Sequence, residues 1–144
     1  MCRGARSDSD QMIARIRHAS CRCGQLRIAC TGEPIRVSAC HCRNCKARSG
    51  SAFAAQARFP AANVHTEGEA KLYQHAGGSG TLADFYFCGN CGSTLWFLNR
   101  PELDSYAVPI GNFEPGHDFE LQFSVYEDRQ EPWVCIVGEA IERL

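Results

Sequence analysis

The chain lacks any run approaching the roughly 20 apolar residues that cross a bilayer as a helix, so no membrane-spanning role is expected. It also lacks net charge: 15 lysines and arginines meet 16 acidic residues, for a formal charge of −1. That balance argues against a protein that grips nucleic acid through bulk positive charge, and nucleic acid is not expected as a partner. Residues 1–10 are polar and charged, and no apolar segment of about 7–15 residues follows them. A secretory leader is therefore not expected, and the chain is read as cytoplasmic. Apart from the cysteine clusters themselves there is no internal repeat. Apolar residues, by contrast, are not scarce: at 44% they can fill a core, which excludes disorder as the main state. With 144 residues the chain fits a single domain.

What is abundant is cysteine, with ten residues. A chain of this length buries about two-thirds of its surface on folding and does not need disulfide staples. Without a leader, clustered cysteines point to metal binding or catalysis.

Between the clusters the pattern is of short apolar alternations cut by glycine and proline. Leu26, Ile28 and Cys30 alternate with Arg27 and Ala29, the period-two signature of a half-buried strand. Residues 31–34 read as a turn, and strands are expected over 35–42, 53–59, 71–75, 82–87, 94–98, 106–110 and 119–126. One short helix is expected over 44–49, ended by Gly50. Residues 77–80 read as a flexible turn, 137–144 as a strand or short helix, and 1–10 as a solvated tail. The expected fold class is mainly β, an antiparallel single domain with few short helices.

Seven cysteines fall in three groups: Cys21 and Cys23; Cys40, Cys42 and Cys45; Cys88 and Cys91. On an extended strand, residues i and i+2 point to one side, so such a pair can offer two sulfurs to one ion. A Cys-x-x-Cys turn does the same by folding back, and Gly89, Asn90 and Gly92 suit such a turn. Zinc takes four ligands in a tetrahedron. Seven thiols divide as four plus three. Cys21, Cys23, Cys88 and Cys91 would close one site and staple distant segments together. Cys40, Cys42 and Cys45 would leave a fourth position open, as catalytic zinc sites do. The competing arrangement pairs Cys42 and Cys45 with Cys88 and Cys91 as a zinc ribbon, leaving Cys21, Cys23 and Cys40 over. A thioredoxin-type redox pair is disfavoured, because neither Cys-x-x-Cys sits in a βαβ context. Cys30 and Cys135 are expected in the core, and Cys2 in the tail.

His41 lies between two candidate ligands and is expected to face away, as a core residue or a support for them. His18, His65, His75 and His117 are scattered and read as surface or structural residues. Arg43, Lys46 and Arg48 ring the three-cysteine group. They read either as a solvated helix face or as cations that balance three thiolates and attract an anionic substrate. Phe53, Trp96, Tyr106 and Trp133 are expected in the core.

The segments Ser20-Cys21-Arg22-Cys23-Gly24, Cys40-His41-Cys42-Arg43-Asn44-Cys45-Lys46 with Ser49-Gly50, and Phe87-Cys88-Gly89-Asn90-Cys91-Gly92, together with the later Pro132-Trp133, carry a resemblance. In order and separation they resemble the glutathione-dependent formaldehyde-activating enzymes, grouped with centromere protein V. The resemblance covers roughly residues 19–138, so residues 1–18 read as an extension and 19–144 as the domain. It implies a tent-type β fold with two zinc ions per chain. Cys21, Cys23, Cys88 and Cys91 would hold a structural zinc, and Cys40, Cys42 and Cys45 a catalytic one. It further implies a carbon–sulfur lyase that adds a glutathione-like thiol to formaldehyde or a related aldehyde. Arg43, Lys46 and Arg48 would then bind the thiol's carboxylates. Three thiolates make zinc a weak Lewis acid, so thiol chemistry suits the site better than hydrolysis. The alternative reading is a zinc-stapled binding module, or a redox or metal sensor, without turnover.

Overall fold

The computed structural model describes residues 14–144 apart from Gly78, Ser79, Pro101 and Leu103. The expected tail over 1–10, Cys2, and the middle of the 77–80 turn therefore lie outside the described residues. β1 (Ile16–Ser20), β2 (Arg27–Thr31) and β5 (Val64–Glu67) form a small antiparallel sheet in the order β1-β2-β5. β1 begins at Ile16, so the boundary drawn after residue 18 falls inside a strand. A large sheet gathers β3 (Arg36–Cys40), β4 (Ala54–Pro60), β6 (Ala70–Ala76), β7 (Leu82–Cys88), β8 (Thr94–Asn99), β9 (Ser105–Pro109), β10 (Phe123–Val125) and β11 (Glu142–Arg143). Its order is β11-β10-β3-β4-β9-β8-β7-β6. Among the described residues the α-helix is α1 (Arg43–Ser49), capped by Gly50 in the left-handed region at φ 65°. No described helix is long and apolar enough to cross a membrane.

The two sheets share one apolar cluster. Leu26, Ile28 and Cys30 bring the buried side of β2 to it, and Ala57 and Phe59 bring one side of β4. Each fully buried side chain of Leu or Phe size contributes about 1.5–3 kcal/mol of transfer free energy. Because strand side chains alternate, burying Ala57 and Phe59 turns Gln56 and Arg58 to the opposite side of the large sheet.

The large sheet is antiparallel except at one edge. After β9 the chain crosses the small sheet, where Phe113 bridges Ala19 and the Glu114 N–H donates to the His18 carbonyl. It re-enters beside β3 in the same direction, so β10 pairs with β3 in parallel, and β11 with β10 likewise. The strand expected over 119–126 is thus only Phe123–Val125, while Phe119 and Leu121 pack on the core. Over 137–144 the strand is confined to Glu142–Arg143. β5 lies where no strand is expected, because its side chains are mostly exposed and give no apolar period. Two core expectations are corrected. Trp133 is 77% exposed and Cys135 is exposed as well, because both lie on irregular chain outside the sheets.

Candidate metal centres and the adjoining cavity

Cys21 and Cys23 sit on the turn between β1 and β2, Cys88 ends β7, and Cys91 lies on the turn into β8. Both turns close through glycine: Gly24 N–H donates to the Cys21 carbonyl and Gly92 N–H to the Cys88 carbonyl. The four sulfurs all lie within 4.8 Å of one another. Cys21 Sγ is 3.6 Å from Cys23 Sγ, which is 3.7 Å from Cys88 Sγ. A tetrahedron with a metal–sulfur length of about 2.3 Å has edges of about 3.8 Å, whereas a disulfide needs about 2.05 Å. N–H groups point at the sulfurs: Leu26 N–H at Cys21 Sγ (3.3 Å), Gln25 Nε2 at Cys88 Sγ (3.1 Å) and Asn90 N–H at Cys88 Sγ (3.4 Å). Such donors stabilise thiolates, the form that binds metal. The Gln25 amide accordingly holds Cys88 below the usual thiol range, and hydrogen bonds from Ser93 bring Cys91 down to about 5. Spacing and donors both fit zinc.

The second cluster is local. Cys40 ends β3, Cys42 is the N-cap of α1, and Cys45 lies in its first turn, with its N–H donating to Cys42 Sγ at 3.3 Å. Here Cys40, Cys42 and Cys45 also bring their sulfurs within 4.8 Å of one another, and no fourth ligand side chain joins them among the described residues. The Cys45 thiol donates to Cys40 and holds it down to about 6, with the Arg48 charge helping; Cys45 is pushed up in return and by burial. His41 faces away, fully buried, with Nε2 3.1 Å from Ser124 Oγ and its ring against Phe53. Burial holds its pKa below the ordinary value. The sulfurs do not bring Cys42 and Cys45 to Cys88 and Cys91, so the ribbon arrangement is not the one adopted.

The three-cysteine cluster opens on a cavity of about 670 Å³, within the range of small-molecule sites. Arg36, Arg48, Arg58 and Arg100 also line it, with Glu102 as its acidic lining residue. Arg100 is held by Asp84 at 3.1 Å. Arg48 and Arg58 lie over the Phe97 ring at 5.0 and 5.6 Å, and Arg36 lies over Phe123 at 4.3 Å. Burial lowers the pKa of both Arg48 and Arg58 from its ordinary value, yet a guanidinium stays protonated. Of the three cations singled out in the sequence, Arg48 reaches the cavity. Arg43 is exposed and does not line it. Lys46 is 2.8 Å from Glu131 and 2.6 Å from the Arg129 carbonyl, tying α1 to the C-terminal segment. Arg36, Arg58, Arg100 and Gln56 were missed, because only strand register brings them to the cysteines.

Fold and site together define a mainly β protein with two cysteine clusters able to hold metal ions, one of them facing a basic cavity. The chain belongs to the family of glutathione-dependent formaldehyde-activating enzymes, whose sequence pattern matches residues 16–129. A protein of Schizosaccharomyces pombe named as an uncharacterized lyase is 30% identical over 89 residues. That match covers 62% of this chain and 62% of the relative, so it spans under two-thirds of the relative's length. A crystal structure of a Rhodobacter sphaeroides protein shares the fold, with a TM-score of 0.56 at 24% identity over 72% of this chain and 96% of that one.

Proposed function

We propose that the protein is a zinc-dependent carbon–sulfur lyase working in the synthetic direction, joining a glutathione-like thiol to formaldehyde or a related small aldehyde. The observation that carries this reading is the three-thiol cluster at the wall of a basic cavity. Family membership and the lyase name of the yeast relative support it. Cys21, Cys23, Cys88 and Cys91 would hold a structural zinc, and Cys40, Cys42 and Cys45 a catalytic one. Zinc at the three-cysteine site would supply the positive charge that lowers the pKa of a substrate thiol.

The chain's own residues do the rest. Cys40, Cys42 and Cys45 leave room for the substrate sulfur. Arg48 lies beside Cys45 and offsets the negative charge of the thiolates. The Phe97 and Val125 walls confine thiol and aldehyde together, which makes their meeting local. The balance is simple: a carbon–sulfur bond forms, the thiol proton ends on the former aldehyde oxygen, and nothing is oxidised or reduced. A reducing compartment such as the cytoplasm suits this arrangement of free thiols.

The test is magnetisation-exchange NMR on glutathione and formaldehyde at equilibrium, with zinc-loaded protein. The wild type is expected to speed interconversion, and Cys45→Ser to abolish the effect while keeping its circular dichroism. Equal exchange in both samples would remove the lyase reading.

A further inference from the structure

The large sheet ends on β6, and that edge is open. Among the described residues β6 pairs only with β7. The direction of its free backbone groups follows from the bonds around it. Gly77 N–H donates to the Thr81 carbonyl, within the β6–β7 hairpin. Toward β8, the Leu82 carbonyl accepts from Arg100 N–H and Cys88 N–H donates to the Ser93 carbonyl. Along an antiparallel ladder these directions alternate. Lys71, Tyr73 and His75 therefore bond to Phe87, Phe85 and Ala83 of β7. Ala70, Leu72, Gln74 and Ala76 aim both N–H and C=O away from the sheet.

Open edges are ordinarily short, charged, interrupted by proline or covered. The other edges meet one of these conditions. β11 has two residues, and β5 has four and carries Glu67. β1 is crossed by the chain at Ala19 and His18, through Phe113 and Glu114. β6 has seven residues, no proline, and only His75 less than fully exposed. Leu72 and Tyr73, on opposite faces, are 50% and 56% exposed. Its charged residue, Lys71, is drawn inward. A Cβ on Gly89 would lie 2.8 Å from Lys71 Cε, so the lysine stem lies over the turn that carries Cys88 and Cys91.

The pattern of β6 is symmetric about Tyr73. Alanine stands at both ends, and the outward-bonding residues form matched pairs, Ala70 with Ala76 and Leu72 with Gln74. A second β6 running antiparallel about Tyr73 would match every outward N–H with an outward C=O. The two Tyr73 rings would meet at a non-hydrogen-bonded position, where side chains lie closest and aromatic pairs stabilise a sheet.

We propose that the protein forms a dimer through β6, two copies making one continuous sheet about a two-fold axis at Tyr73. The edge takes a second copy of this chain, because a foreign strand has no need of that symmetry. The two-fold keeps like faces together, so both cavities open on the same side of the joint sheet. Beside the cavity runs a groove of about 440 Å³, lined by Ala47 of α1 and by Phe85 and Phe87. Tyr73 and His75 form its outer wall, and His75 lines the cavity as well. In the dimer, Tyr73 of the second copy stands beside that wall. The inference is independent of the lyase reading.

Sedimentation velocity on the zinc-loaded full chain, from about 1 to about 500 μM, tests it. The wild type is expected to pass from monomer to dimer over that range. Leu72→Pro deletes an outward N–H and no bond to β7, so it should keep the wild-type circular dichroism and stay monomeric. Tyr73→Lys sets like charges opposite each other at the axis and should weaken the dimer about tenfold or more. Val137→Lys, at an exposed apolar residue outside β6, should associate like the wild type. A wild type still monomeric at about 500 μM overturns the proposal and leaves the edge to a strand of another protein. A dimer that survives Leu72→Pro overturns it too, because the interface then lies elsewhere. Equal weakening by Val137→Lys and Tyr73→Lys overturns it as well, since added charge alone would explain both. A dimer lost in Leu72→Pro but unchanged in Tyr73→Lys overturns the axis at Tyr73 and keeps the edge.

Discussion

Cys30 shows what a thiol does when it serves no metal. It is fully buried on β2, and burial pushes its pKa up to about 12, against a smaller opposing effect of Arg17. The folded chain keeps that proton where the unfolded chain releases it near pH 9. The contribution is therefore complete below pH 9 and lost as pH rises toward 12. Between about pH 8 and about pH 10.5 the wild type should lose about 2 kcal/mol more stability than Cys30→Ala, read from urea midpoints. Cys21 and Cys88 differ from Cys30 in receiving N–H donors, from Leu26 and from Gln25 and Asn90. Spacing in the sequence separated these two kinds of cysteine for Cys30, but placed Cys135 wrongly in the core. Nothing local to Cys135 reveals that its segment runs outside the sheets.

At the scale of elements, register decides what the cysteines face. The groups Cys40-Cys42-Cys45 and Cys88-Cys91 were legible because each is local, with partners within a turn. Arg36 and Arg58 were not, because they meet only through the pairing of β3 with β4. Likewise the parallel entry of β10 depends on a chain path across the small sheet that no periodicity records. One connection serves fold and metal site together. Gly68, between β5 and β6, has φ +98°, and a Cβ there would lie 2.0 Å from the Gln25 carbonyl oxygen. Gln25 in turn bonds both backbone groups of Glu69 and the Cys88 sulfur. Gly68→Ala should cost about 3 kcal/mol or more in urea denaturation and speed zinc release to a chromogenic chelator.

For the whole molecule, the two cysteine clusters differ in the span they close. Cys23 and Cys88 are 65 positions apart and join the small sheet to the large one, whereas Cys40, Cys42 and Cys45 lie within one segment. Cys88→Ser should therefore lower the melting temperature of zinc-loaded protein by about 10 °C or more, and Cys42→Ser by only a few degrees. Calorimetry with zinc content measured on the same samples checks both. The difference in span also sets an order in time. At about 5–20 residues per second of synthesis, Cys88 leaves the ribosome about 3–13 s after Cys23, while the three thiols of the cavity emerge within about a second of one another. The nascent chain thus carries a complete three-thiol trap well before the four-thiol staple can close. A metal ion could therefore be held by the cavity cluster while the chain is unfinished, whereas the four-thiol cluster could hold one only after Cys88 and Cys91 have emerged.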